Sequence, residues 1–413
     1  MKLTHLLVAL FTASSFAKGP PRPVPENLRG LYPSRELARR TPASTEGRAL
    51  ALDSQGNLLV TGSARLFDKD HGVIVKLSGE GRLLGQSTHI WGGRTGLTNV
   101  FASGDKIVVS GFWANLSPLL LRLNADLSLD TTFGGGDGMI QDECSYGDWT
   151  SSHPFHGGVI TVRTSGASNV PRELRRYTST GTFDTRYGLS GLTTLGSNRL
   201  TFWPAIHQDS SRAIFIYGGN DAYGGQKEAH EEIVKINSSG KPDSSFGNHG
   251  VVNLEGGCVT DWGARLAQLS ENRILLVNTT CQVVRTLDAS GTVLSTGGYE
   301  IFSGLEPTFV RSLGDSVAVL DSHGKILLLS SKDLKPITSF GTGGVATISD
   351  PEFQPISIVQ GKDGTLFIAG SFVKKNEEET ALGVIALATN GAPIESFALK
   401  GIYKHSITTP RTP

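Results

Sequence analysis

The stretch Leu121–Ile140, LRLNADLSLDTTFGGGDGMI, returns with drift along the chain, and this recurrence constrains the fold more than any other feature. Copies run from Leu174 to Leu192 and from Ile233 to Val252, and a further one ends at Pro336–Val345. A unit repeated at roughly fifty residues is too short to bury a core alone, so successive copies must stack on one another. Length alone allows several domains, but the repeat makes one large repetitive domain the stronger reading.

Each copy closes a longer unit that opens with two strand-like runs. The clearest openings are Gln55–Ser63, QGNLLVTGS, and Lys362–Ser371, KDGTLFIAGS, which share a turn, a strand and a trailing Gly-Ser. Equivalent runs start at Ile107, Val159, Ala213, Ile274 and Val317, which with Leu58 and Leu366 makes seven units. A third strand of the Leu-x-Leu or Val-x-Ile type and a fourth after an aromatic-Gly pair complete each unit. The expected fold class is all-β: a seven-bladed β-propeller of four-stranded antiparallel blades over residues 47–405. No segment carries the long amphipathic helices that parallel crossovers need, which disfavours an α/β sheet.

The aromatic-Gly pair stands at Phe133-Gly134, Tyr187-Gly188, Phe246-Gly247 and Phe340-Gly341, with Phe397-Ala398 as a weaker copy. Two repeats have lost it: the first, at Gly81–Gly85, and the fifth, at Leu287–Gly297. Where Asp130, Asp184 and Asp243 stand three residues before the aromatic, after an Asn/Ser-x-Gly-type turn, the segments resemble the bacterial delta-60 repeat. Ile337 and Ile394 stand where that pattern has Asp. The resemblance covers most of residues 47–405 and implies a propeller fold and export, with no shared reaction.

Residues 1–17 read as a secretory signal: Lys2, an apolar core from Leu6 to Phe11, and Ser15-Phe16-Ala17 as a small-x-small cleavage site. The expected mature chain begins at Lys18 with a Pro- and Arg-rich leader, 18–46, and ends with a tail, 406–413, after the propeller. It is expected outside the cytoplasm, periplasmic, secreted or at the cell surface, as a monomer with no membrane span after signal cleavage. With 38 basic and 38 acidic residues the formal net charge is zero, so no global field recruits nucleic acid. The 51 glycines suit many tight turns between short strands. Of the three cysteines, Cys258 and Cys281 are close enough in sequence to form a disulfide, with three separate thiols as the alternative.

The motif aspartates read as turn-forming scaffold, because a carboxylate there can accept backbone N–H bonds while the aromatic fills the space between blades. The tryptophans point elsewhere. Trp91, Trp149, Trp203 and Trp262 fall in links between units and Trp113 just after a second strand, which places all five on one face. Asp148 and Asp261 sit beside two of them, in the similar segments CSYGDW and CVTDW. Aromatic faces beside carboxylates make a platform for a glycan, peptide or protein partner, the alternative being that each Trp plugs a seam between blades. Acidic loops at Gly219–Glu231 and Lys374–Thr380 read as solvated charge. His153 and His156 are three apart, which in a strand puts them on opposite faces, so no metal site is expected. No cofactor motif, nucleophile elbow or catalytic constellation is present. The expectation is a non-enzymatic binding propeller; the alternative is a lyase or hydrolase with carboxylates scattered around the central channel.

Overall fold

The computed structural model describes residues 44–66, 69–89, 94–113, 117–141, 147–165, 173–194, 205–209, 211–220, 230–255, 264–373 and 380–407. All lie in the compact unit Thr41–Pro413. The expected signal peptide, most of the leader and the last six residues of the tail lie outside them.

A four-stranded meander recurs along the chain. It begins with β1 (Ser44–Leu52), β2 (Leu58–Leu66), β3 (Lys69–Leu77) and β4 (Leu83–His89), then β5 (Thr95–Ser103), β6 (Lys106–Trp113), β7 (Ser117–Leu123) and β8 (Met139–Gln141). Next come β9 (Gly147–Phe155), β10 (Gly158–Ser165), β11 (Glu173–Tyr177) and β12 (Leu192–Thr194), followed by β13 (Ala205–Gln208), β14 (Ile214–Asn220), β15 (His230–Ile236) and β16 (Val251–Leu254). The fifth set is β17 (Ala264–Gln268), β18 (Ile274–Asn278), β19 (Val283–Leu287) and β20 (Val293–Gly297), and the sixth β21 (Pro307–Leu313), β22 (Ser316–Asp321), β23 (Lys325–Ser330) and β24 (Val345–Thr347). The last is β25 (Phe353–Gln360), β26 (Leu366–Val373), β27 (Thr380–Leu387) and β28 (Ile402–His405).

Within each set neighbouring strands pair antiparallel. Five separate four-stranded sheets result, not the seven expected from the sequence, because the first and last sets are joined. The cause is one parallel pairing, Ser44 of β1 with Thr380 of β27, which fuses their strands into a single eight-stranded sheet. Ser44 Oγ and Thr380 Oγ1 hydrogen-bond at 2.7 Å, and the Ile407 N–H donates to Thr45 Oγ1 at 3.1 Å. Three residues read from sequence as leader, Ser44–Glu46, thus belong to β1.

Strands covered on both faces read as continuous apolar runs. β18, ILLVN, and β22, SVAVLD, are buried at every position, whereas β20, a fourth strand, is exposed throughout. The repeat aromatics explain the stacking. Phe133, Tyr187, Phe246, Phe340 and Phe397 are all essentially buried, and each packs between its own sheet and the next. Phe133, for example, touches Val108 and Leu120 of its own set and Val159 and Tyr177 of the following one.

The residue after each aromatic ties the same seam with its backbone. Gly134 N–H donates to Thr180 O at 3.1 Å, Gly188 to Ser239 at 2.9 Å, Gly247 to Ser290 at 2.6 Å, Gly341 to Asn390 at 2.7 Å, and Ala398 to Glu80 at 2.8 Å. The last of these runs from the final set back to the first. Each acceptor sits in the turn between a third and a fourth strand, just before a glycine with positive φ. A Cβ on Gly181 (φ 78) would lie 2.7 Å from Gly134 N and 3.0 Å from the Phe133 ring, so the missing side chain is what admits the aromatic.

Opposite the two repeats without the aromatic, that glycine is absent as well. Leu127 (φ 70) faces the first repeat and Leu334 (φ 58) the fifth, both left-handed although leucine. Leu127 is buried among Leu97, Leu119 and Leu123, and Leu334 packs against the cluster of Phe302 and Val310. At the first seam the apolar group then comes from the following repeat; at the fifth, Leu334 packs onto Phe302, which is fully buried in the segment after β20.

The motif aspartates organise the turn beside each aromatic. Asp130 Oδ1 accepts from the Thr132 N–H at 3.1 Å and hydroxyl at 2.7 Å, and Oδ2 from Arg122 Nε at 2.7 Å. Asp184 and Asp243 take backbone bonds from Arg186 and Ser245 and pair with Arg176 and Lys235. Burial pushes the Asp130 carboxyl up, but Thr132 and the Arg122 guanidinium outweigh it and hold the group down at about 2.

Candidate functional site

First strands of neighbouring sets contact one another, β1 with β5, β5 with β9, β13 with β17, β17 with β21, β21 with β25 and β25 with β1, while fourth strands such as β4 and β20 face solvent, so the first strands form the inner side of the fold, where blades of this kind surround a central channel. Their packing is polar in places: Asn99 Nδ2 donates to Ser152 O at 2.7 Å, and Ser312 exchanges two hydrogen bonds with the Gln268 backbone at 2.7 and 2.8 Å.

Pairing register sorts these strands into levels. The residue opposite the one that follows the first apolar residue of each second strand is His153 in β9, His207 in β13 and Arg311 in β21. At the same level the other first strands carry Ala51, Phe101, Ala267 and Val359. One level of the channel therefore holds two imidazoles and a guanidinium with no carboxylate among them. Burial, helped by the charges of His207 and Arg311, pushes His153 down to about 4. Burial likewise lowers His207, although Gln268 and the nearby Asp209 pull the other way. His207 Nε2 lies 3.4 Å from Gln268 Oε1, which makes Nε2 the protonated nitrogen of the neutral ring. The positive charge of Arg311 lowers both histidines further.

Arg311 has no ion pair or hydrogen bond among the described residues. Close packing around it lowers its pKa from the usual arginine range, yet the side chain keeps a strip of surface, as a group facing a narrow channel does. Arg265, two residues further from the hairpin end of its own strand, is also pushed down by burial and, among the described residues, bonds only the Ala264 carbonyl, at 2.8 Å. Sequence reasoning missed this level. His153 drew notice only for its spacing from His156, which sits in the hairpin turn with φ 46 and its ring edge-on to Phe155. Among the described residues no group of three or more His, Cys, Asp or Glu could hold a metal ion.

At the other end of the strands stand the tryptophan positions that can be placed. Trp113 is the last residue of β6, opposite Thr95, and Trp149 lies near the start of β9, opposite Arg163, with Asp148 opposite Thr164. Trp113 is half-buried against the Leu97 cluster, and its indole N–H finds no hydrogen-bond partner. Trp91, Trp203, Trp262 and Asp261 lie outside the described residues, as do Cys144 and Cys258. Cys281 is disulfide-bonded.

A buried polar network occupies the same end. Glu231 is fully buried, accepting from Arg285 Nη1 at 2.7 Å and Tyr217 OH at 2.8 Å, and Asn278 Nδ2 donates to the Tyr217 oxygen at 3.0 Å. The solvated charge expected at Glu231 is thus corrected: it is the second residue of β15 and fully buried, with its carboxylate oxygens satisfied by Arg285 and Tyr217. Burial and the Glu231 charge push the Tyr217 phenol far up, so it remains a donor.

The sequence matches the family described as "Domain of unknown function (DUF5122) beta-propeller" over residues 105–133, from the start of β6 to the first repeat aromatic. The fold is a β-propeller. Among solved structures, an inactive variant of virginiamycin B lyase from Staphylococcus aureus, seen with quinupristin, is similar with a TM-score of 0.50 at 12% identity, over 79% of this chain and 92% of that one. The WD40 propeller domain of Doa1 (TM-score 0.46, 13% identity, 80% of this chain and 90% of that one) and BamB from Moraxella catarrhalis (0.42, 12%, 78% and 80%) are similar as well. At these identities the likeness is one of fold alone. No curated protein matches the chain. Among the described residues no helix is long and apolar enough to cross a membrane.

Proposed function

We propose that this chain is an exported, non-enzymatic binding propeller of delta-60-type repeats, and that a glycan, peptide or protein partner sits on the face where the second-to-third-strand loops and the links between sets emerge. The eight-stranded sheet counts as two blades in this reading, which makes a seven-bladed ring. The observation that carries it is topological. In an antiparallel meander those loops and links leave from one end, and Trp113 and Trp149 both stand at that end. Trp91, Trp203 and Trp262 belong by sequence to links between sets, beside Asp148 and Asp261. The opposite end consists of tight turns tied seam to seam by the motif. The disulfide at Cys281, for which Cys258 is the proposed partner, fits an oxidising compartment. A channel level of neutral imidazoles and arginine, without a carboxylate, supports holding a ligand over the carboxylate chemistry of the alternative reading.

The test is a glycan and peptide array probed with the wild type, Trp149→Ala and Trp262→Ala. An exposed aromatic anchor gives each variant at least tenfold weaker binding with an unchanged melting temperature. Seam plugs give the opposite result, strong destabilisation with binding unchanged, and that outcome removes the reading.

A further inference from the structure

We infer that the channel level formed by His153, His207 and Arg311 is a binding site for an oxyanion: the carboxylate, phosphate or sulfate group of a ligand. The argument starts from Arg311. A guanidinium offers five N–H donors in a planar fork, and none of them is used by a described residue. A closely enclosed charge without a partner is unfavourable, and proteins pair such charges or leave them where a counter-ion binds. Arg311 is placed for the second case, because it stands at the same strand level as His153 and His207, where no carboxylate stands to pair with it.

The surroundings give the site its sign. Around the level the other positions are Ala51, Phe101, Ala267 and Val359, which add no charge and keep the local dielectric low, so the guanidinium field is weakly screened. Gln268 fixes one ring orientation through His207 Nε2, and Ser312, next to Arg311, is locked to the Gln268 backbone. The backbone that carries Arg311 is therefore held rigidly against the neighbouring strand. A planar fork on a fixed strand matches a carboxylate or phosphate edge in bidentate fashion. The site goes beyond the loop-face reading and stands without it: it lies toward the hairpin end of the first strands, away from Trp113 and Trp149.

Isothermal titration and thermal melts of the full chain, with inorganic phosphate and with glucuronate as probes and chloride as the ionic-strength control, test the assignment. The expected result is saturable binding of at least one probe, a melting temperature that rises with its concentration, and at least a tenfold loss of affinity in Arg311→Gln. Phosphate alone marks a phosphate-bearing ligand and glucuronate alone an acidic sugar. Without anion, Arg311→Gln should melt at or above the wild-type temperature, since an unpaired enclosed charge has been removed. A lower melting temperature for that variant makes Arg311 a structural strut and overturns the assignment, as does the absence of saturable binding by either probe or equal binding by Arg311→Gln. Phosphate binding retained by Trp149→Ala would separate this site from the loop face.

Discussion

His153 shows what one residue owes to its neighbours rather than to its own sequence context. Read along the chain it pairs with His156 and suggests a failed metal site; read across the sheets it shares a level with His207 and Arg311. Nothing local marks that level, because which residues of the first strands share it depends on the hairpin register of each separate set. The ionisation of His153 is measurable. In the unfolded chain a histidine titrates near 6.5, and in the fold this one sits at about 4. Between those values the unfolded chain binds a proton that the folded chain does not, so stability present above pH 6.5 is lost as pH falls toward 4. His153→Gln should therefore lose less stability than the wild type between pH 7 and pH 4, by roughly 2–3 kcal/mol in chemical denaturation without added oxyanion. Equal losses would show that the imidazole is charged in the fold.

At the scale of the element, the aromatic-Gly repeat was legible because one packing task recurs with one solution. Phe133, Tyr187, Phe246 and Phe340 each fill a seam, and the glycine beside each donates to the next turn. The compensating leucines were not legible, since a leucine in a turn looks like any other until the structure shows it opposite a missing aromatic. Both halves of the arrangement can be tested by substitution. Gly181→Ala forces a Cβ against the Gly134 nitrogen in a left-handed backbone and should cost about 1–3 kcal/mol. Leu127→Ala should cost about 2–4 kcal/mol by leaving the first seam unfilled. If Leu127→Ala is neutral in urea unfolding, the leucine is not the replacement for the lost aromatic.

For the whole molecule, the four-strand repeat could be read from the sequence, but not the joining that leaves five separate four-stranded sheets where seven were expected. A single parallel pairing at Ser44 and Thr380 leaves no periodic mark, and its N-terminal half lies in what reads as leader. The weak motif copy at Phe397-Ala398 makes the bond that returns from the last set to the first. Ala398 holds φ 46, where the four stronger copies have glycine. Ala398→Gly should relieve that strain and stabilise the fold by about 1 kcal/mol. Ala398→Pro removes the donor to Glu80 and cannot adopt the angle, so it should cost about 3 kcal/mol or more. The two denaturation midpoints should move in opposite directions. Midpoints moving together would show that the returning bond carries no stability.

That returning contact also sets a schedule. A chain made from its N-terminus completes every other seam as each new repeat appears beside the last, but the first sheet must wait for a partner encoded more than three hundred residues later. Until then Val60, Val75 and Leu77, which end up packed with Val384 and Ala386, have nothing to cover them. The period of greatest exposure to misassociation is therefore fixed by gene order. Moving the chain ends to a hairpin turn in the middle of the chain would transfer that vulnerable interval to a different seam without altering a single native contact there.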